Sequence, residues 1–452
     1  MTYGNAMKNT GVVDCRRSSG GADLCKERTV RRLLLTIAFV VLCGCGVRAT
    51  LAEDVTVIHA ARLLDVKAGR LISPAVVVVK GERIEGVGAA AAPSGARTIE
   101  LGDVTVLPGL IDCHTHLMGD IQWDEYGTTL LTKSQAYRAL EGAAHARRML
   151  HAGFTTVSDE GNEGSGYADV ALRDAINAGL VEGPRLQVAT RAIAALGQYQ
   201  PFGVSPDLPD FPRGAQMVSG TDSVRRAVRE QIANGADLIK VYADWDYPTL
   251  TVEELSVAVE EAHKAKRRVA AHATTVSGIR NALAAGADSI VHGWDADRQT
   301  LELMQQKGVW LVPTVGLAES RLEHADSAEE RARCTKQLAR TRTMMALALK
   351  VGVCIGSGYD ALEASAHGAN AREIVALVHH GLSALEAIRA ATLDAAERMG
   401  WSDRVGAVEP GKYADIIAVA GDPLKEVQEL QKVRFVMKGG TVVRRDSAPG
   451  EH

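Results

Sequence analysis

The sequence predicts an α/β protein, a (β/α)8 TIM-like barrel carrying a small β-sandwich formed by both termini. Three observations support this. Short apolar runs alternate with amphipathic helical stretches through the middle of the chain, β-like runs with glycine turns crowd both ends, and residues able to hold a metal recur where the apolar runs stop. Strands interleaved with helices form a parallel sheet covered on both faces, and eight of them close into a barrel whose chemistry gathers at the strands' carboxyl ends.

The β-rich ends come first in the argument. Val55–Ile58, Val76–Lys80, Arg83–Val87 and Thr105–Leu107 open the folded part, with Gly81-Glu82 as a hairpin turn. Ile416–Val419, Val433–Lys438 and Thr441–Arg444 close it, with Gly439-Gly440 as another turn. Neither set alone makes a stable sheet domain, so residues 53–107 and 407–447 are expected to build one sandwich together. Residues 108–406 are expected to form the barrel. Its strands are read at Leu110–Cys113, Thr155–Ser158, Arg185–Ala189, Leu238–Tyr242, Val269–Ala273, Ser289–His292, Trp310–Pro313 and Val353–Gly356. Helical stretches include Lys133–Ala152, Ser223–Ala233, Thr251–Ala265, Val276–Ala285, Ser327–Lys350 and Ala371–His380.

Composition narrows the function. Apolar residues are 46 % of the 452, aromatics only 4 %, with 44 glycines, which suits tight helix–strand packing rather than an aromatic binding surface. A net charge of −4 without a long basic run in the body excludes nucleic acid as a partner. The expected partner is a small-molecule or short-peptide substrate; the sequence leaves open whether the chain forms a homo-oligomer. Of seven cysteines, Cys15, Cys25, Cys43 and Cys45 precede residue 50, and Cys113, Cys334 and Cys354 show no paired spacing, so no disulfide framework is expected. Lys26, Arg28, Arg31 and Arg32 ahead of the apolar run Leu33–Leu42 read as a signal segment. Leu42-Cys43-Gly44-Cys45 resembles a bacterial lipoprotein box with a lipid anchor at Cys45, and cleavage after Ala52 is the other exit. Either makes the chain an exported, periplasmic, secreted or lipid-anchored bacterial protein. A mis-assigned start codon is the plain alternative, and residues 1–52 are left out of the fold.

The sharpest local signal is Leu107-Pro108-Gly109-Leu110-Ile111-Asp112-Cys113-His114-Thr115-His116. Histidines two apart on a strand share a face, so both imidazoles can converge on one ion. Lys240 ends the apolar strand of Gly235-Ala236-Asp237-Leu238-Ile239-Lys240-Val241-Tyr242. A snorkelling lysine is the bland reading, but at a strand end facing metals a lysine that has taken up carbon dioxide, a carbamate, can bridge two cations. His272 (Ala271-His272-Ala273) and His292 (Ile290-Val291-His292-Gly293) each end an apolar run; alone each would be a core or capping histidine, together they read as ligands. Asp360, in Gly352-Val353-Cys354-Ile355-Gly356-Ser357-Gly358-Tyr359-Asp360, falls where the eighth strand ends and can bind a metal and accept a proton. Tyr242 shares the face of Lys240 and is either a packed tyrosine or a donor to substrate.

With these residues the chain resembles the amidohydrolase superfamily from about Val55 to Arg444. The stretch Val408-Glu409-Pro410-Gly411-Lys412-Tyr413-Ala414-Asp415-Ile416-Ile417 and Gly421-Asp422-Pro423-Leu424 are typical of it. More narrowly it resembles the branch of Xaa-Pro dipeptidases and carboxypeptidase-like enzymes, near amidases that cleave ochratoxin, on Ile239-Lys240-Val241-Tyr242, Ala271-His272-Ala273 and His367-Gly368-Ala369-Asn370-Ala371-Arg372-Glu373. The resemblance implies a metal-centred barrel beside a β-sandwich and two divalent metal ions, zinc by preference, sharing a hydroxide and a carbamate on Lys240. It implies His114, His116, Lys240, His272, His292 and Asp360 as the metal ligands, with Asp360 and Tyr242 catalytic. The branch usually carries Gly-Thr-Asp or Gly-Ser-Asp where this chain has Gly358-Tyr359-Asp360. A register matching Gly356-Ser357 would put Gly358 in the aspartate's place and remove the base; the ungapped register keeps Asp360.

The expected reaction is hydrolysis of a peptide-like C–N bond beside a terminal carboxylate, in a dipeptide or N-acyl amino acid, ochratoxin-type amides included. Tyr242, His367, Arg191 and Arg372 are the candidates to hold that carboxylate. A cyclic amide or lactone hydrolase, or a deaminase of the same superfamily, is the rival among enzymes. A catalytically weak exported binding protein is the rival outside catalysis.

Overall fold

The computed structural model describes residues 55–88, 95–120, 126–199, 207, 212–245 and 249–446. The leader readings at Leu33–Leu42, Cys43, Cys45 and Ala52 lie outside the described residues. No helix among the described residues is long and apolar enough to cross a membrane, and Cys113, Cys334 and Cys354 are all unpaired.

The N-terminal strands build one sheet alone and share a second with the C-terminal strands. One sheet runs in the order Arg83–Val87, Ala75–Lys80, Val55–Ala60, Arg97–Glu100. The other runs Thr441–Arg445, Phe435–Lys438, Ile416–Ala420, Val104–Pro108, Arg62–Asp65, Arg70–Ile72. Ile416–Ala420 lies antiparallel to Val104–Pro108, with Ile416 opposite Pro108 and Ala420 opposite Val104. Strand side chains alternate between faces, and both faces of this second sheet are covered. Ile416, Ala418, Val106 and Phe435 pack against Ile58, Val77 and Ile99 of the first sheet. Ile417, Val419 and Leu107 point the other way, into the large core shared with the barrel helices. Two covered faces explain why Ile416–Ala420 is apolar without alternation. The tips of two hairpins touch here: a side chain on Gly440 would begin 2.1 Å from the Gly81 carbonyl oxygen.

The barrel strands are Leu110–Thr115, Phe154–Asp159, Arg185–Val188, Leu238–Tyr242, Arg268–Ala273, Ser289–His292 and Trp310–Val312. They pair in parallel, and helices such as Gln135–His151, Thr221–Ala233, Val252–Lys264 and Val276–Ala285 lie between them. Two departures from regularity close the ring. The third strand breaks at Thr190, whose φ is 61°; before the break it pairs with the second strand, and after it Ile193 pairs with Val241 of the fourth. The eighth position holds no regular strand where Val353–Gly356 is expected. Residues 354–361 cross instead as an irregular segment, bridged by Ile355 to Leu311 on one side and by Ala361 to Thr115 on the other. Cys113 N donates to Ser357 O at 2.8 Å and Asp360 N to His114 O at 2.8 Å. The irregularity has a steric cause: a Cβ on Gly358 would lie 2.9 Å from His114 N and 2.6 Å from a Val312 methyl, so the chain runs closer than a pleated strand with side chains allows.

Inside the barrel, Leu238, Ala270, Val291 and Val312 pack with Ala395 and Met399 of the helix Leu393–Met399. On the fourth strand, Lys240 and Tyr242 share the face of Leu238, one and two steps nearer the carboxyl end, and Tyr242 lies beside His272 of the fifth.

A buried ion pair joins barrel to sandwich. Asp415 receives Arg185 Nε and Nη2 at 2.8 and 3.1 Å and Gly439 N at 2.8 Å, while the Arg185 guanidinium lies 3.5 Å over the Tyr413 ring. Removing one partner of such a pair strands the other. Asp415→Asn is therefore expected to cost about 2–3 kcal/mol, read as a lower urea midpoint, with the Arg185→Met/Asp415→Leu double variant losing less than the sum of its singles.

Candidate metal centre

The carboxyl ends of the barrel strands bring together His114, His116, Lys240, Tyr242, His272, His292 and Asp360, which line one cavity with Tyr199, Trp245 and Leu362. All seven of these sequence-predicted residues are buried. Asp360 Oδ1 is 3.1 Å from His114 Nε2 and 3.3 Å from His116 Nε2. The imidazole of His292 packs edge-on to His114, with centroids 5.6 Å apart, and to His272 at 4.6 Å. Asp360 thus faces the two histidines of the first strand, and Gly358 lies behind it against His114.

Three of the histidines are aimed by a partner on the far nitrogen, and the fourth by a ring stack. His114 Nδ1 meets Glu160 Oε2 at 2.7 Å. His116 Nδ1 lies 3.0 Å from Glu163 Oε1 and 3.1 Å from Gly161 O. His292 Nδ1 is 2.8 Å from Thr314 Oγ1. His272 is stacked on Trp245, rings 4.9 Å apart and 17° from parallel. Asp112 accepts from the backbone of His114 and Tyr359 and from Asn370 Nδ2, tying the first strand to the Asp360 segment. Glu160, Glu163 and Thr314 were not singled out from the sequence. The signal was there: Ser158-Asp159-Glu160-Gly161-Asn162-Glu163 is an acidic run directly after an apolar strand, the same strand-end position that marked the histidines.

Backbone strain gathers at the same place. Glu163, Thr190, His292, Thr314 and Asp360 all have positive φ, between 52° and 73°. Such a conformation costs a non-glycine residue on the order of 1 kcal/mol and persists where surrounding structure holds it, typically at functional sites.

The charges are sorted by burial and neighbours. Burial pushes His272 and His292 well below the usual imidazole range, so both are neutral, as metal ligation requires. Burial opposes ionisation of Asp360, yet His114 and His116 hold its carboxyl well below the usual carboxylate range. Burial also lowers the Lys240 ammonium, against the pull of Glu160. The Tyr242 hydroxyl is pushed up by burial and stays protonated. His116 resists burial because Asp360 and Glu163 hold it protonated, so a cation arriving at its Nε2 displaces a proton.

This donor set fits divalent metal. Ligand atoms of His114, His292 and Asp360 lie within 4.8 Å of one another. Two ligands at about 2.0–2.1 Å from a tetrahedral ion are about 3.3 Å apart, close to the separations between Asp360 and the two histidines of the first strand. Imidazole nitrogen and carboxylate oxygen are the donors zinc accepts.

Beside the metal residues opens a cleft of about 640 Å³, lined by Trp245, His272, His292, Arg321, Arg340, Asp360 and Glu363 among others. His367 and Arg191 are not brought to it. His367 is buried, stacked 4.2 Å from His145, and Arg191 pairs with Glu230 at 3.6 Å. Arg372 pairs with Glu323 at 2.7 Å.

A family model described as the amidohydrolase family matches residues 105–443. The chain belongs to the amidohydrolase family. Ochratoxinase from Aspergillus niger is 31 % identical over 376 residues, 75 % of each chain. A solved Xaa-Pro dipeptidase with bound methionine superposes with a TM-score of 0.79 at 33 % identity, covering 86 % of this chain and 99 % of that one. A prolidase complexed with N-methylphosphonate-L-proline gives 0.78 at 29 %, covering 87 % and 100 %. This amidohydrolase stands in the dipeptidase and ochratoxinase-like branch of a superfamily of hydrolases whose members generally use divalent metals.

Removing the hydroxyl that orients His292 tests the centre. Thr314→Ala is expected to weaken metal retention about 10- to 100-fold, measured by competition with a chelator at fixed pH, with the fold unchanged by circular dichroism.

Proposed function

We propose that this amidohydrolase is binuclear and hydrolyses the amide bond of a dipeptide or N-acyl amino acid, ochratoxin-type amides included. The observation that carries the reading is Asp360 Oδ1, shared at 3.1 and 3.3 Å by His114 and His116 in the cavity that Lys240, His272 and His292 also line. His114, His116 and Asp360 would hold one ion, His272 and His292 the other, and a carbamate on Lys240 would bridge them. In forming it, the neutral Lys240 amine makes an N–C bond to carbon dioxide, one C=O electron pair moves onto oxygen, and an N–H proton passes to water. Two divalent cations, zinc by donor preference, would supply Lewis acidity and lower the pKa of coordinated water to about 7.

The protein's own groups do the rest. Asp360 takes the proton from the attacking water and carries it to the leaving nitrogen, since an amine leaves only when protonated. The Tyr242 hydroxyl, kept protonated by burial, donates to the scissile carbonyl oxygen as charge develops there. Trp245 and Tyr199 narrow the entrance beside His272 and Tyr242, with ring centroids 4.9 and 4.5 Å away respectively.

The cleft supports a substrate carrying a carboxylate. Of its arginines, Arg340 is held by Asp295 and Arg333 lies 3.8 Å from Glu330. Arg321, half-buried on the helix Val315–Glu323, has no carboxylate partner among the described residues. A guanidinium so placed can receive a substrate carboxylate in bidentate fashion.

Purified, metal-loaded protein screened against dipeptides and N-acyl amino acids is expected to turn over members of both sets, with two metals per chain; turnover confined to lactones or cyclic amides, or one metal per chain, would sink the reading. Arg321→Gln is expected to raise KM about tenfold or more for a substrate with a free carboxylate and to leave KM for the matching C-terminal amide unchanged, measured by steady-state kinetics on the two substrates.

A further inference from the structure

Glu160 sits immediately after the second barrel strand, fully buried, where it touches two of the metal-centre residues at once. Its Oε2 is 2.7 Å from His114 Nδ1 and 3.0 Å from Lys240 Nζ. Its Oε1 accepts from Arg398 Nη2, and Arg398, itself buried, also reaches Ser289 Oγ at 3.1 Å. Burial works against a charge on Glu160, but Arg398, Lys240 and His114 hold its carboxyl well below the usual range. A buried carboxylate so placed needs a reason beyond neutralising Arg398, because replacing both by apolar groups would cost the fold little.

We propose that Glu160 is a positioning residue that sets the direction of the Lys240 carbamate and of His114 together. This rests on the carbamate reading above. A carbamate nitrogen is planar and conjugated, with three substituents: the lysine carbon, one hydrogen and the carboxylate carbon. The buried lysine stem fixes the first direction. Glu160 Oε2, at hydrogen-bond distance from Nζ, fixes the second by accepting the one remaining N–H. The carboxylate has only the third direction left, away from Glu160 and toward the cavity lined by His114, His272, His292 and Asp360. The same oxygen accepts from His114 Nδ1, which leaves Nε2 of that ring free to bind a cation beside Asp360. Arg398 takes the other carboxylate oxygen and offsets the negative charge that would otherwise repel the carbamate. One acceptor thereby couples the bridge and a terminal ligand.

The test uses the full chain loaded with zinc under ¹³C-bicarbonate, with the carbamate carbon read by ¹³C NMR and metals counted per chain. Lys240→Ala supplies the blank. Glu160→Asp keeps the charge that Arg398 requires but withdraws the acceptor by about 1.5 Å; Glu160→Gln keeps the length but loses the charge. Both are expected to fold, to hold about tenfold less carbamate than wild type at low bicarbonate, to bind fewer metals, and to regain signal as bicarbonate is raised. Wild-type carbamate and metal content in Glu160→Asp would overturn the proposal while leaving the bridging lysine intact. A wild-type protein with two metals and no carbamate signal would overturn the Lys240 reading itself, and this proposal with it. Unfolding of both variants would assign Glu160 to the fold alone and overturn it also.

Discussion

Glu160, Arg398, Lys240 and Asp360 are ionisable groups buried together inside one barrel, and each is tolerable there only because the others are within reach. An isolated charge moved into such a place would neutralise or unfold the chain. Here the carboxylate of Glu160 is answered by Arg398 from below and by Lys240 and His114 from above. Asp360 is answered by the histidines of the first strand. Parallel strand registry makes this compensation possible, since it sets Lys240 and Tyr242 one strand away from Ala270 and His272. The apolar layer of Leu238, Ala270, Val291 and Val312 beneath then keeps water from dissolving the network.

The same constraint explains where the backbone departs from comfort. His292, Thr314 and Asp360 must turn their side chains inward at points where a strand ends, and each does so with a left-handed φ. Hydrogen bonds between backbone and neighbours hold those turns: Asp360 N to His114 O at 2.8 Å, Gly293 N to Ala273 O at 3.0 Å. Geometry at the centre is therefore enforced by the ring of strands rather than by local preference, as expected where function and stability pull in different directions.

Much of this was legible in the sequence. Strand ends carrying histidine, lysine or aspartate after apolar runs located the centre, and the β-rich termini located the sandwich sheets. Leu238–Tyr242 and Ser289–His292 form as read, because β-branched and apolar residues bounded by turns admit few alternatives. The sequence predicts a strand over Val353–Gly356 at the eighth barrel position, but Gly358 brings the chain too near His114 and Val312 for regular pairing, a tertiary demand no local pattern reports. The short strands Ile193–Ala195 and Gln216–Val218 lack periodicity because only three residues pair. Glu160 and Glu163 went unnoticed because acids after a strand ordinarily face solvent; only the closed ring shows them buried. His367 drew attention through its motif, whereas its ring spends its contacts on His145 and on Gly119 O at 3.4 Å.

The interleaved sheet has a consequence for how the chain is made. Val104–Pro108 leads directly into the first barrel strand, yet its antiparallel neighbour, Ile416–Ala420, emerges from the ribosome roughly 300 residues later. Contacts of such long range are slow to form, and until they do, the face of Leu107 and the strand edge beside it stay uncovered. The barrel can accumulate strands one by one during synthesis, but its base cannot be sealed before Ile416–Ala420 arrives. Loss of that strand, remote in sequence from every candidate metal ligand, would leave a nascent chain with a half-built floor and an open sheet edge seeking other partners.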